Sequence, residues 1–301
     1  MASRFFLVSY LTTYAASLFL LLLMWADHGR GVSFTRAWRT ASQLTGVQVA
    51  LVVLLVLVIA VLVTPFQLGL IRMLEGVWPR RLGGAWGLNR QLARKRKLEV
   101  AAIPTSTGPA ELWRAGTTGL RLRMRYPLPD HLVRATRLGN ILAAMEDRAG
   151  RDYGLDAVVA WPRLYPLLDT TTKAVVDDRR TTLDTMVRLA VTVFLTALAS
   201  VVVLADDGRW LCLAAAPLAV SHIAYLGAIQ AALAYSESVQ AAFDLHHLAP
   251  AAAFGLSRPE TSAAERTTNQ QLCDLWRQSI PHPFNYATVE LPGDMSAGGN
   301  T

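Results

Sequence analysis

Long uncharged apolar runs limit this chain more than any other feature. The first, Phe5 to Ala26, carries no charge and exceeds the ~20 residues that cross a bilayer. The second, Gly46 to Ile71, is rich in Val and Leu; that content suggests strand in water, yet 26 unbroken residues are far too many for one. The third is Val187 to Ala205, with Arg188 placed to snorkel at its start, and the fourth is Trp210 to Tyr235. Only Asp206-Asp207-Gly208-Arg209 separates the last two, so a tight turn and an antiparallel hairpin are expected there. A cleaved signal peptide is the rival reading of the first run. Its apolar core would span only about 7–15 residues before a small-residue cleavage site, and Met24-Trp25-Ala26-Asp27 is not such a site.

These runs predict an all-α membrane protein with four transmembrane helices in two antiparallel hairpins. Residues 1–71 form the first hairpin (spans about 5–26 and 46–71), and 72–186 a basic cytoplasmic domain. Residues 187–235 form the second hairpin (spans 187–205 and 210–235), and 236–301 a cytoplasmic tail, disordered at its end. An apolar content of 52% beside only 17% charged residues suits spans embedded in an ordinary charged chain.

Charge sets the expected orientation. Arg72, Arg80, Arg81, Arg90 and the run Arg94-Lys95-Arg96-Lys97 follow the second span, whereas the first interspan loop has only Arg30, Arg36 and Arg39. Excess Lys and Arg stay on the cytoplasmic side, which places the middle segment and both termini there. The heavy use of Ala, Leu, Val and of Arg over Lys hints at a GC-rich bacterial genome, so the membrane expected is a bacterial inner membrane. That segment holds 20 of the 29 Lys and Arg against 12 of the 22 Asp and Glu, about +8 of a chain total of +7. Anionic lipid accounts for such a charge more simply than nucleic acid does, so no nucleic-acid partner is expected. Trp25, Trp38, Trp78, Trp86 and Trp210 fall near the expected interfaces.

Within the cytoplasmic parts the pattern is mainly helical. Gly and Pro between Gly76 and Gly87 interrupt any continuation of the second span. Leu120 to Tyr126 alternates apolar residues with Arg121, Arg123 and Arg125, which suggests a short strand paired with Leu98–Ile103 as a β-hairpin. Leu138, Ile141, Leu142 and Met145 share a helical face. Asp156 is placed to cap a short helix from Ala157, and Lys173–Met186 leads into the third span. Ser236–Leu248 extends the fourth, and a further helix is expected over Glu260–Gln278.

Several residues are candidates for function. His222 is the one strongly ionisable group deep inside a span; with Ser221 and Tyr225 it forms a candidate intramembrane polar site, read either as a proton or ion site or as a neutral histidine bonded between helices. Arg94, Lys95, Arg96 and Lys97 read as a lipid-facing basic patch or as a solvated topogenic cluster. Asn140, Glu146, Asp147, Asp152, Asp156 and Arg163 form a candidate cytoplasmic cluster. Paired carboxylates serve acid–base chemistry or hard cations, but Arg148 and Arg151 between them point to ion pairing. His246 and His247 are adjacent and face different ways on a helix, so they make a poor metal pair. Two cysteines without metal spacing, and no HExxH, GxSxG, Walker or GxGxxG pattern, leave no catalytic residue, cofactor or metal to assign.

The box Gly139-Asn140, Glu146-Asp147, Tyr153-Gly154-Leu155-Asp156-Ala157, Trp161-Pro162-Arg163-Leu164 resembles a pattern in uncharacterised multi-pass bacterial membrane proteins. The resemblance implies bacterial origin and a shared cytoplasmic fold, and brings no activity. Helix order alone is similar to bestrophin-type anion channels; Arg72 to Trp78 only faintly echoes the Arg-Trp-Trp-rich box of that family, so no pore residue is carried over. The leading expectation is a non-enzymatic, homo-oligomeric scaffold or binding protein whose basic domain meets lipid head groups or a cytoplasmic protein partner. An oligomeric channel or transporter, and a membrane enzyme using the carboxylate cluster, are the alternatives.

Overall fold

The computed structural model describes residues 2–26, 33–76, 78, 83–205 and 210–287, with side chains for all but 2–11 and 59–68. The expected turn at 206–209 lies outside the described residues, as do residues 288–301 of the end expected to be disordered. The chain is 79% helical, and the described residues hold no strand beyond a single antiparallel bridge between Leu256 and Tyr286. Eleven α-helices are described: α1 Ala2–Ala26, α2 Phe34–Ser42, α3 Gly46–Leu74, α4 Gly84–Ala101, α5 Pro109–Arg125, α6 Arg137–Arg148, α7 Ala157–Leu164, α8 Thr170–Val203, α9 Cys212–His246, α10 Ala249–Ala253 and α11 Ser262–Gln278.

The β-hairpin expectation is corrected: Leu120–Arg125 closes α5, and the proposed partner begins in the last turn of α4. Pro109 occupies the first position of α5, where its missing N–H costs nothing. Seven alternating residues are too few to outweigh the helix already running into them, and Arg121 and Arg125 fall one helical turn apart. The Tyr126 N–H donates to the Leu122 carbonyl at 3.0 Å and ends the helix.

Two helices, α8 and α9, are long and apolar enough to cross a membrane. A third candidate arises if α2 and Gly46–Val58, which meet at a 114° bend, count as one broken span. That is fewer than the four expected. Thr12–Ala26 is a shorter apolar helix within the first run.

The chain divides into two compact units. The first comprises Met1–Ala144 and Val176–Glu237. Its central core joins Leu138 and Ile141 of α6, Leu183 and Val187 of α8, and Ala228, Ile229 and Ala232 of α9, with Ile71 and Leu74 of α3 packed against it. Each large aliphatic buried there contributes about 1.5–3 kcal/mol. The Ser221 hydroxyl crosses from α9 to donate to the Ala190 carbonyl of α8 at 2.8 Å. Thr196 and Ser200 turn their buried hydroxyls back on carbonyls four residues earlier, at 2.9 and 2.7 Å, so α8 buries its polar stripe without unmet donors. A second cluster gathers Leu23, Ala26, Ala37 and Leu204.

The Gly139-Asn140 pair explains how α6 enters this unit. A β-carbon at Gly139 would overlap the Glu75 carbonyl at the end of α3, so only glycine permits the approach. Thr136 donates to the Leu74 carbonyl and accepts from the Gly139 N–H at 3.0 Å, tying the two helix ends together. Asn140, fully buried, accepts from the Arg134 N–H at 2.7 Å and donates to the Arg134 and Thr136 carbonyls at 2.9 and 2.7 Å.

The second unit comprises Met145–Val175 and Ser238–Thr301. Here α11 docks on the remainder of the box. Gly154 takes a left-handed φ of 79°, and a β-carbon there would lie 2.6 Å from the Arg266 carbonyl. Arg266 donates to the Asp152 carbonyl at 2.7 Å, Asn269 to the Tyr153 carbonyl at 2.8 Å, and Arg277 pairs with Asp156. Ala251, Leu256 and Leu272 form the small core beneath.

Candidate anion-binding cavity

Helix α4 distributes its basic run around its own circumference. Arg90, Arg94 and Lys97 recur at spacings of four and three, which puts them on one face. Arg94 and Lys97 line a cavity with Leu98, Arg125 at the end of α5, and Arg137 at the first position of α6. Ile223, Leu226 and Ile229 of α9 supply an apolar floor. This lobe measures ≈ 740 Å³. A neighbouring lobe of ≈ 370 Å³ shares Arg94, Arg137 and Leu226 and adds Trp78, Trp86, Arg90, His222 and Tyr225.

Among the described residues no carboxylate lines either lobe. Burial first, then the neighbouring Arg137 and Arg90 guanidiniums, push the Arg94 pKa below its ordinary value. The arginine stays charged at neutral pH; repulsion from Arg137 and Arg90 adds to the effect of burial and is opposed by Tyr126 and Tyr225. Arg90 lies 5.2 Å from the Trp86 ring centroid, a contact that holds its position but does not cancel its charge. Tyr126, which lines the larger lobe, donates to Gln91 of the smaller lobe at 3.0 Å, and burial pushes its phenol pKa up. Tyr225 of α9 and Arg137, the first residue of α6, line the smaller lobe together.

The basic patch of the sequence therefore splits. Lys95 is buried and turned away from the cavity; its amine reaches Asp130 at 2.6 Å, the Leu128 carbonyl at 2.7 Å and Glu99 at 3.7 Å. Arg96 is exposed on another face, leaving Arg94 and Lys97 in the cavity. The intramembrane trio splits as well. Ser221 is buried against α8, while His222, exposed on the surface of α9, and Tyr225 line the smaller lobe.

The candidate cytoplasmic cluster does not converge on one point. Asn140 serves the loop before α6. Asp147 pairs with Arg151, Asp156 accepts from the Val158 and Val159 N–H groups as the cap of α7, and Asp152 is exposed. Arg163 lies 4.8 Å over Trp276 and donates to the Val159 carbonyl. Glu146, half-buried, also has interactions of its own. Among the described residues no group of three or more His, Cys, Asp or Glu is arranged to hold a metal ion. His246 and His247 do face different ways: His246 lies 3.1 Å from Asp169, whereas His247 pairs with Glu265 and stacks on Tyr153 at 4.0 Å.

Arg90, Arg125, Arg137 and Tyr126 were not singled out as site residues from the sequence. The 90/94/97 spacing was a readable signal; the convergence of Arg125 and Arg137 depends on tertiary packing. No protein-family model, curated protein or solved structure matches the chain.

Proposed function

We propose that this chain is a non-enzymatic bacterial inner-membrane protein that binds anionic lipid head groups through the Arg94–Arg137 cavity. One observation carries the reading: cations from α4, α5 and α6, with no ion-pair partner among the described residues, stand over an apolar floor contributed by α9, a helix apolar enough to span. Charge above and hydrocarbon below is the chemistry of an amphiphile at a bilayer surface.

Four spans remain part of this proposal. At 1.5 Å per residue, α1 and α3 would extend about 37 and 43 Å, beyond the ~30 Å hydrocarbon core. Val47, Leu51, Leu54 and Val58 of α3 are exposed, an apolar surface better suited to lipid than to water. The excess of Arg after α3 supports a cytoplasmic location for α4 to α6 and for both termini.

The test is lipid analysis of protein purified in mild detergent. Anionic lipid should be enriched over zwitterionic lipid relative to the source membrane, and Arg94→Gln/Arg137→Gln should lose the enrichment. An unenriched wild type, or a variant that retains as much anionic lipid, would defeat the proposal.

A further inference from the structure

The two lobes meet at Arg94 and Arg137, so these guanidiniums can be approached from both sides. Lys97 and Arg125 complete the larger lobe and Arg90 the smaller, giving five cations around one space. None of the five has an ion-pair partner among the described residues, although Lys95, next to Arg94 in the chain, has two. A single negative charge would leave most of that repulsion in place. A phosphodiester head group offers one charge and two terminal oxygens. A phosphomonoester carries close to two charges at neutral pH and three terminal oxygens, and it matches forked guanidinium donors from more than one direction.

The floor says what the phosphate is attached to. Ile223 is 67% exposed and Leu226 43%, so the apolar surface beneath the cations continues onto the outer flank of α9. Residues 223–230 lie 13 to 20 residues beyond Trp210, a rise of about 20–30 Å along a helix. If Trp210 marks one interface, the cations stand at the level of the opposite head groups.

We infer that the cavity selects a lipid phosphomonoester, with its terminal phosphate between Arg94 and Arg137 and its hydrocarbon along Ile223 and Leu226 of α9. This rests on the lipid-binding reading above and narrows it to one head-group class. A free phosphate shares the anion chemistry but leaves the apolar floor uncovered.

The experiment uses the full-length protein, delipidated in mild detergent at pH 7.5. Phosphatidic acid, phosphatidylglycerol, phosphatidylethanolamine and inorganic phosphate are titrated separately, and occupancy is read by native mass spectrometry. Phosphatidic acid should bind at least about tenfold more tightly than phosphatidylglycerol, a difference of ~1.4 kcal/mol. Phosphatidylethanolamine and inorganic phosphate should bind more weakly still. Arg94→Gln/Arg137→Gln should abolish the preference, whereas Arg96→Gln, on another face of α4, should keep it. Arg94→Lys retains the charge but not the fork, so it should reduce the ratio; if the double variant does not fold, this variant and the wild-type ratio decide.

Equal binding of the two anionic lipids, lost together in the variants, overturns monoester selection and leaves the broader proposal intact. Binding of neither anionic lipid overturns both. Inorganic phosphate binding as tightly as phosphatidic acid overturns the lipid assignment, because the hydrocarbon would then contribute nothing.

Discussion

Replacing Asn140 tests whether the Gly139-Asn140 pair is an architectural joint. The side chain is fully buried and makes three hydrogen bonds of 2.7–2.9 Å to the backbone of Arg134 and Thr136. Alanine removes all three, at about 1 kcal/mol net each, for a loss of about 3 kcal/mol before any cavity cost. The loop so released carries Thr136, which caps α6 and holds the end of α3. Asn140→Asp keeps the acceptor for the Arg134 N–H but sets a carboxylate oxygen against two carbonyls, so at neutral pH it should cost at least as much. For a folding unit of this size each kcal/mol shifts Tm by roughly 2–4 °C, which predicts a fall of about 6–12 °C. The assay is thermal unfolding in mild detergent followed by intrinsic fluorescence. If both variants melt within ~1 °C of wild type, Asn140 is not the joint described and the reasoning fails.

Other consequences concern single contacts. Lys95 should acylate about tenfold more slowly than exposed Lys97 at pH 8, and Asp130→Asn should accelerate it; equal rates for the two lysines by peptide mass spectrometry would refute the buried placement. The Asp169 carboxyl is held at about 2, below its ordinary 3.8, by the Thr172 hydroxyl first, then by the Thr172 and Thr171 N–H groups and His246. Its stabilisation of the start of α8 is therefore complete above pH 3.8 and lost as pH falls towards 2. A carboxyl NMR titration should give that midpoint, and Thr172→Val should move it upward; an unmoved midpoint contradicts the assignment. Gly154→Ala forces a β-carbon against the Arg266 carbonyl at a left-handed φ, at a cost of about 1–3 kcal/mol. Amide exchange across α11 should then rise at least about fivefold, and unchanged exchange would mean that α11 does not depend on this approach.

Much of the helical order was legible because it rests on local rules. Asp156 caps α7, helix α11 falls within a residue or two of the expected Glu260–Gln278, and the segment from Lys173 runs unbroken through α8. The strand reading of Leu120–Tyr126 failed because a short alternating window ignored the helix started by Pro109. The distinctive box was visible, but its meaning was not. Its glycines permit close backbone approaches between residues far apart in the chain, Gly139 to Glu75 and Gly154 to Arg266, which no local pattern encodes. The cavity was half legible. Four consecutive basic residues looked like one patch, yet at ~100° per residue a helix returns only Arg94 and Lys97 to one face and turns Lys95 and Arg96 to others. Only packing shows that Lys95 meets Asp130 while Arg94 meets Arg137.

The central claim, that cations of α4 and α6 hold an anionic head group over α9, can be tested by photo-crosslinking in reconstituted bilayers. Phosphatidylglycerol with a diazirine near the glycerol end of one acyl chain is activated, and the labelled residues are mapped by mass spectrometry. The account predicts labelling concentrated on residues 223–230 of α9 that falls roughly tenfold in Arg94→Gln/Arg137→Gln, with labelling of α3 unchanged. Labelling spread evenly along the exposed apolar flank of α9, and identical in wild type and variant, would contradict it.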